Sequence, residues 1–520
     1  MQLKSIFNKK NFHKFLLLFA SVVFFAFQHP SFIFKEGLPL LSYIALVPLF
    51  LLIDRLNWKN IWLYGFLYGF LGYSLFGYWL ATFHPMGITV IAGMYGIYLL
   101  CTLPLLKFAK DMFPKFGWIA QWIVWCAYEY VKTLGFSGFH YAVTAYSHWR
   151  IIPLIQCTNI IGVWGLSAII TFFSAWIAQC IQDRSFKKHI VSGSIWLICF
   201  STIFIYGLFS QIDYSNEEHK TVALIQQNSD PWKGGTEAYK KDLRILKSLT
   251  NQALKENSQI DFIVWPETAF IPRIFYNYQK RDNRERFDLV NDLLNYIDSK
   301  EVPFVIGNDH GVNYVDYNAV MVFEPKKNVL PPNPQMYFKM HLVPFTEYFP
   351  FDKQFPKLYE LLLNGDTHMW EPGREANVLH IDNFSIGTPV CFEDTFGYIG
   401  RRFVNNGAKV LVNLSNDAWA KSLACQYQHL SMAVFRSVEN RVSSVRSTSS
   451  GQTCIIDPNG KILKMAPSQT ETFITGSFPV LSKNSKTVYT ILGDYVGKIF
   501  TALALIIFAF AFIKLKKEKK

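Results

Sequence analysis

Eight long apolar runs, separated by short polar loops, constrain this chain before any other feature does. They occupy residues 12–29, 38–54, 60–82, 86–106, 117–134, 159–181, 189–210 and 496–513. A helix needs roughly 20 apolar residues to cross the hydrocarbon core of a bilayer, so the pattern predicts eight spans. The loops after the second, fourth and sixth runs are basic, as are both termini. The segments up to Lys14, 54–59, 107–115, 183–188 and from Lys514 hold 17 Lys/Arg against four Asp/Glu. The whole chain has 51 Lys/Arg against 38 Asp/Glu, a net charge of +13. These short segments therefore account for the entire surplus. The alternate loops contribute only Lys35 and Arg150 as positive residues. Positive loops mark the cytoplasmic side. The reading is N-in and C-in, with 211–495 on the far face, the periplasm in a bacterium. No surplus remains for a basic patch on the soluble part, so no nucleic-acid partner is expected.

Composition agrees with this division. The chain is 51% hydrophobic and 17% charged, against about 25% charge in a soluble domain, and the apolar excess lies in the first 210 residues. That excludes a disordered chain, a collagen-like chain and a purely soluble enzyme. We divide the chain into a transmembrane helical domain at 1–210 with seven spans, a soluble domain at 215–490, a last transmembrane helix at 496–513 and a basic cytoplasmic tail at 514–520. Lys4, Lys9 and Lys10 followed by FLLLFASVVFFAF resemble a signal peptide, but QHPS follows where small residues would be needed for cleavage. A retained helix is expected. The spans are almost empty of ionisable residues, Glu129 and Lys132 near one end excepted. This favours a scaffold over a transporter with an appended domain, since translocation paths commonly carry such groups.

From residue 219 the pattern alternates short β runs with amphipathic helices. Strands are predicted at 221–227, 261–265, 302–307, 318–323, 377–381, 384–390, 408–414 and 453–458, each β-branched or aromatic and bounded by turn residues. Helices are predicted at 236–255, 284–299, 395–406 and 424–440. In the first, Leu243, Leu246, Leu249 and Ala253 share one face. Two facing sheets with helices outside would bury these elements.

Three residues end β runs in this part of the chain: Glu267 in VWPETAF, Lys339 after QMYF and Cys391 after FSIGTPV. Strand ends can present side chains to a common cleft. A thiol, a carboxylate and an ammonium together make a nucleophile, a base and a fixed cation. A free thiol is only about 3% thiolate at neutral pH, so a neighbouring base matters. The eight cysteines include no C-x-x-C and no Cys/His cluster with metal spacing, and no metal or other cofactor is expected. Cys391, Cys425 and Cys454 lie in the soluble part, and whether the last two pair stays open.

WPET around Glu267, FKMHLVPFTEYFP after Lys339 and CFED at Cys391 resemble the Glu-Lys-Cys motifs of the nitrilase superfamily. The stretch NLSNDAWAKSLACQYQHLSMAVFRSVENRVSSVRSTSSG at 413–451 resembles that of the apolipoprotein N-acyltransferases, membrane-embedded members of that superfamily. So do the eight spans, the GFSGFHY loop at 135–141 and GVWG at 162–165. The resemblance covers nearly the whole chain. It implies an α/β fold plus membrane helices: an eight-helix transmembrane scaffold carrying a nitrilase-like αββα sandwich in the bacterial inner membrane.

The resemblance further implies phospholipid-dependent N-acylation of the N-terminal S-diacylglyceryl-cysteine of apolipoproteins, through a thioester on Cys391. Glu267 would be the base and Lys339 the oxyanion partner, with the Phe392 N–H as a second donor. Glu347 and Glu393 match supporting positions. The implied partners are a membrane phospholipid as acyl donor, the diacylglyceryl-cysteine apolipoprotein as acceptor and the lipid bilayer, for a monomeric enzyme. A membrane-tethered amidase is the other enzymatic reading; it would need free water at the thioester. Two departures stand out: Phe392 replaces the usual Tyr, and Ala420-Lys421 replace the usual Phe-Gly after DAW. The aromatic stretch after Lys339, with Phe345, Tyr348, Phe349 and Phe351, and Trp419 in the DAW loop are candidates for the substrate entrance. Residues 343–363 are expected to form an apolar arm at the outer leaflet.

Overall fold

The computed structural model describes residues 9–518 apart from 84, 313–314, 365–366 and 483–485. The basic residue Lys4 and the last two lysines of the tail lie outside these described residues. The chain forms two compact units: 1–211 with 420–431 and 492–520, and 212–419 with 432–491.

The first unit is helical. Gly87–Met112, Thr158–Asp183, Lys187–Phe209 and Tyr495–Glu518 are long and apolar enough to cross a membrane, and Asn11–Phe27 and Ile61–Phe76 are shorter apolar helices. The helix Ile190–Phe209 buries only Gly207, leaving Ile190, Val191, Ile195, Leu197, Ile198 and Phe209 exposed. A helix that is apolar all round and leaves so many large apolar side chains uncovered needs an apolar solvent, and the chain is accordingly a membrane protein. Three of the eight expected spans are shorter than sequence suggested, among them 60–82, whose first helix, Ile61–Phe76, stops at Gly77. Residues 38–54 break into a 3-10 turn, Pro39–Tyr43, and a nine-residue helix, Val47–Arg55. Nine residues rise about 14 Å, less than half the hydrocarbon thickness. The reason is Pro39 and Pro48, each at the start of its element, since proline fixes φ and lacks the N–H that a continuous helix requires. The run at 117–134 gives the helix Gly117–Val131.

The two ionisable residues noted inside the spans brace this unit. Lys132 Nζ donates to Tyr73 Oη at 2.8 Å and to the carbonyls of Tyr141 and Ala142 at 3.1 and 3.2 Å. Glu129 accepts from Thr144 Oγ1 at 2.5 Å. Together they fix the 141–144 turn against the helix that carries them. Residues 420–431, expected in the soluble domain, pack with the helices instead. Gln428 accepts from Trp79 Nε1 at 2.9 Å and donates to the Pro30 carbonyl at 2.8 Å, and the Ala420 carbonyl accepts from Thr82.

The second unit holds twelve strands among the described residues: β1 (Glu218–Gln226), β2 (Phe262–Val264), β3 (Phe304–Val312), β4 (Val315–Phe323), β5 (Gln335–Phe338), β6 (Leu379–Ile381), β7 (Phe384–Gly387), β8 (Val410–Ser415), β9 (Ser443–Thr448), β10 (Cys454–Ile456), β11 (Ile462–Met465) and β12 (Thr472–Val480). They make two six-stranded sheets, ordered β12-β1-β2-β3-β4-β5 and β11-β10-β9-β8-β7-β6. In each, three central strands run parallel and the flanking strands antiparallel. Alternation along β1 and β2 explains the layering. Ala223, Ile225, Ile263 and Trp265 pack with Leu243, Leu246, Leu249 and Ala253 of the helix Thr236–Glu256 and with Leu289, Val290, Leu293 and Leu294 of the helix Arg284–Asp298. Phe262 points the other way, its ring 6.1 Å from Phe384 and 6.2 Å from Phe478. Strands covered on both faces read as continuous apolar runs, as VALI in β1 and FIVW at β2 do. The predicted helix at 395–406 is a 3-10 turn, Cys391–Thr395, followed by the helix Gly397–Asn405.

Candidate active site

Glu267 lies three residues beyond β2, Lys339 directly beyond β5 and Cys391 four residues beyond β7. Two residues come from one sheet and the third from the other. Strand pairing persists up to the nucleophile candidate: the Lys339 N–H donates to the Asn318 carbonyl at 2.9 Å, and Val390 bridges Leu414. Cys391 then opens the 3-10 turn with φ of 50°. That left-handed conformation is strained for a residue with a Cβ and persists only where the surroundings hold it.

Lys339 is fully buried and sits between two carboxylates, Nζ donating to Glu347 Oε1 at 2.8 Å and Glu267 Oε1 at 3.2 Å. Glu267 also accepts Asn318 Nδ2 on Oε1 at 2.8 Å and the Asn416 N–H on Oε2 at 3.1 Å. Glu347 Oε2 accepts the Val343 N–H at 2.9 Å. One carboxylate thus balances the lysine and leaves the second available for a proton. Burial alone would lower the Lys339 pKa; the Glu267 and Glu347 carboxylates outweigh it and hold it well above the usual lysine value. Burial pushes the Cys391 thiol pKa well up, the Glu267 charge adds to this, and Lys339 opposes it. At rest the thiol is therefore held neutral.

Glu393 ties the parts together. Its Oε2 accepts the Val390 N–H at 2.8 Å, and its Oε1 accepts the Met340 and His341 N–H groups at 2.7 and 2.9 Å. Tyr337 Oη donates to the same carboxylate at 2.8 Å. The turn bearing Cys391 is thereby fastened to the segment just past Lys339. Burial raises the Glu393 pKa to about 7, with the hydrogen bonds opposing. Asn413 Nδ2 donates to the Pro389 and Cys391 carbonyls at 3.1 and 3.3 Å. Gly307 lies so close under Glu267 that a Cβ there would stand 2.8 Å from Glu267 Cα.

Phe392 is buried, its ring 4.9 Å from Phe396 and 5.9 Å from His341. The surroundings of this departure from Tyr thus include aromatic rings. Of the entrance candidates, Phe349 is buried, within 5.8 Å of the Phe345 and Phe351 rings. Phe345 and Tyr348 are half-buried and Phe351 is exposed. Phe351, Phe355, Leu358, Leu361 and Leu363 form an exposed apolar stretch, and the helix Pro356–Leu363 buries none of its residues. Trp419 is half-buried, edge-on to Trp232 at 4.9 Å. Sequence reasoning missed Asn318, Asn413, Asn416 and Tyr337. Their signal is a hydrogen bond across 22 to 149 residues of chain, which no local pattern carries.

Residues 221–480 match the family described as carbon-nitrogen hydrolase. Residues 19–176 match the apolipoprotein N-acyltransferase N-terminal domain. The chain is 43% identical to apolipoprotein N-acyltransferase 1 of Treponema denticola, covering 96% of both chains. It is 41% identical to apolipoprotein N-acyltransferase 1 of Treponema pallidum, over 95% of this chain and 94% of that one. It is 30% identical to the apolipoprotein N-acyltransferase of Borreliella burgdorferi, over 92% of each.

Proposed function

Because the chain belongs to the apolipoprotein N-acyltransferase family and N-acylates apolipoproteins, we propose a thioester route centred on Cys391, with a membrane phospholipid as donor. Glu267 takes the thiol proton as Sγ attacks the ester carbonyl carbon. The oxyanion forms beside Lys339 Nζ, with the Phe392 N–H as second donor. The carbon–oxygen bond breaks, and Glu267 returns the proton to the departing lysophospholipid oxygen. The α-amine of the diacylglyceryl-cysteine then attacks the thioester, Glu267 takes its proton, and cleavage of the carbon–sulfur bond regenerates the thiol. Glu347 balances Lys339, and Glu393 orients the turn of Cys391.

The observation that carries this reading is the buried Glu267–Lys339 pair, joined by the half-buried Glu347, beside a thiol held at positive φ. Eight crossings, the one at 38–54 made by a turn and a short helix rather than by one continuous helix, with the α/β unit on the periplasmic side of the inner membrane, belong to the same proposal, supported by the charge alternation of the loops. Phe345, Tyr348, Phe349, Phe351 and Trp419 line the acyl entrance, and the exposed stretch from Phe351 to Leu363 rests in the outer leaflet. Exposed apolar patches of this kind mark interaction surfaces. The test is mass spectrometry of the purified enzyme after exposure to phospholipid vesicles. One fatty acyl chain should be found on the peptide containing Cys391, released by hydroxylamine or by an amine acceptor. An acyl chain on another residue, or none in an active preparation, would overturn the route.

A further inference from the structure

The mechanism leaves unused a fully buried arginine in the middle of the second sheet. Arg446 lies on β9, whose burial is complete from Ser443 to Thr448. It stands beside Asn413 of β8 in parallel register and beside Cys454 of β10 on its other side. Asn413 is the residue whose side chain holds the Cys391 carbonyl. The guanidinium reaches two turns. Its Nη1 pairs with Asp394, in the 3-10 turn that Cys391 opens. Its Nη2 lies 3.9 Å from Asp417, at the start of the turn Asp417–Ala420. Asp417 is itself fixed by Ser415 Oγ at 3.0 Å and directly follows Asn416, whose N–H donates to Glu267. One side chain therefore spans the turn of the nucleophile and the turn that holds the base. Burying three charged groups carries a large desolvation penalty, and an aliphatic residue would fill the space without it.

We propose that Arg446 is a positioning residue for acyl transfer: its guanidinium clamps the Cys391 turn to the Glu267-holding turn and cancels the charges of Asp394 and Asp417 beside the thiol. The proposal rests on Cys391 as the nucleophile. The charged and titratable groups around this thiol are Glu267 beyond β2, Lys339 beyond β5, Glu347 in the following loop and Asp417 after β8, with Glu393 and Asp394 in its own turn. The His341 ring lies 5.9 Å from that of the neighbouring Phe392, tilted against it. Asp417 already acts against thiol ionisation. Removing the guanidinium exposes the thiol to both aspartates, disfavouring the thiolate, whereas a lysine retains the charge and cannot form the same two-armed bridge.

The test uses full-length enzyme in detergent. Alkylation of Cys391 by iodoacetamide is followed against pH by peptide mass, and thioester formation from phospholipid is measured in parallel. Arg446→Met should raise the alkylation midpoint by about one pH unit, a tenfold slowing at neutral pH. Adding Asp394→Asn and Asp417→Asn should return the midpoint to the wild-type value while thioester formation stays at least about tenfold slow, because charge is rebalanced but the clamp is absent. Arg446→Lys should leave the midpoint in place and also slow thioester formation about tenfold. A folded Arg446→Met variant with an unmoved midpoint would reduce the arginine to a packing role and overturn the proposal. Should that variant fail to fold, Arg446→Lys decides, and a wild-type thioester rate in it refutes the clamp. Failure of the underlying reading is separately visible, as an acyl-enzyme that still forms in Cys391→Ala.

Discussion

Glu393→Gln separates geometry from stability at the site. The carboxylate accepts three backbone N–H groups and the Tyr337 hydroxyl. Glutamine supplies one acceptor oxygen and one NH2. If its oxygen keeps Met340 and His341, the NH2 faces the Val390 N–H, donor against donor. An orphaned buried donor costs about 1–3 kcal/mol, so a loss of about 2 kcal/mol is expected wherever the wild-type side chain is neutral. The wild type titrates and the variant does not. Because the folded pKa of Glu393 is raised to about 7 from 4.5, its contribution is full below the unfolded value and is lost as pH rises through the folded one. At 1.36 kcal/mol per unit the loss is about 3 kcal/mol. The variant should therefore melt below the wild type at pH 5 and match or exceed it at pH 8. Thioester formation should still be at least about tenfold slow at pH 8, since a misplacement of about 1 Å can cost a hundredfold. Thermal unfolding in detergent at both pH values, with a time course of acyl-enzyme by mass, reads both effects. An equal loss of melting temperature at the two pH values, or wild-type thioester formation at pH 8, would refute the reasoning.

Four further outcomes follow from the same structure. Cys391→Ala should abolish the acyl-enzyme in a folded protein, while Cys425→Ala and Cys454→Ala retain transfer; turnover by the first would remove it as nucleophile. Gly307→Ala would place a Cβ 2.7 Å from the Thr268 nitrogen and 2.8 Å from Glu267 Cα. Both are backbone atoms, so the Glu267 segment must shift, and thioester formation should fall about tenfold or more. Phe351→Ser/Phe355→Ser should slow thioester formation from vesicles far more than alkylation of Cys391 by a water-soluble probe; equal losses would assign the stretch to packing instead. Reporter fusions after Arg55, Lys110 and Lys187 should report cytoplasm and fusions within 215–490 the opposite side, and a cytoplasmic signal from the latter would overturn the topology.

The parts of the fold visible in the sequence are those whose burial is apolar and periodic. Leu243, Leu246, Leu249 and Ala253 fall on one face at helical spacing and are buried together. Residues 222–225 of β1 and all of β2 are apolar without interruption because both their faces are covered. β9 escaped prediction because SSVRST has no apolar alternation. Its polar groups are accommodated within the sandwich, Ser447 Oγ donating to the Ile225 and Val264 carbonyls at 2.9 and 3.1 Å. The membrane runs were over-read at 38–54, where hydropathy is continuous but Pro39 and Pro48 interrupt the backbone ladder.

The site divides in the same way. Glu267, Lys339 and Cys391 were legible because each terminates a β run. Their partners were not, because the partners act through the backbone or across sheets: the Asn416 N–H on Glu267, the Met340 and His341 N–H groups on Glu393, the Asn413 amide on the Cys391 carbonyl. A backbone donor has no identity in the sequence. Glu393 was legible only as a carboxylate two residues past Cys391. Its function as the brace joining the Cys391 turn to the segment after Lys339 depends on β5 and β7 lying in facing sheets. The chemistry of the site is thus local to three strand ends, whereas its precision is a property of the tertiary fold, and substitutions at Glu393, Asn413 or Gly307 should impair catalysis while leaving every reacting group in the protein.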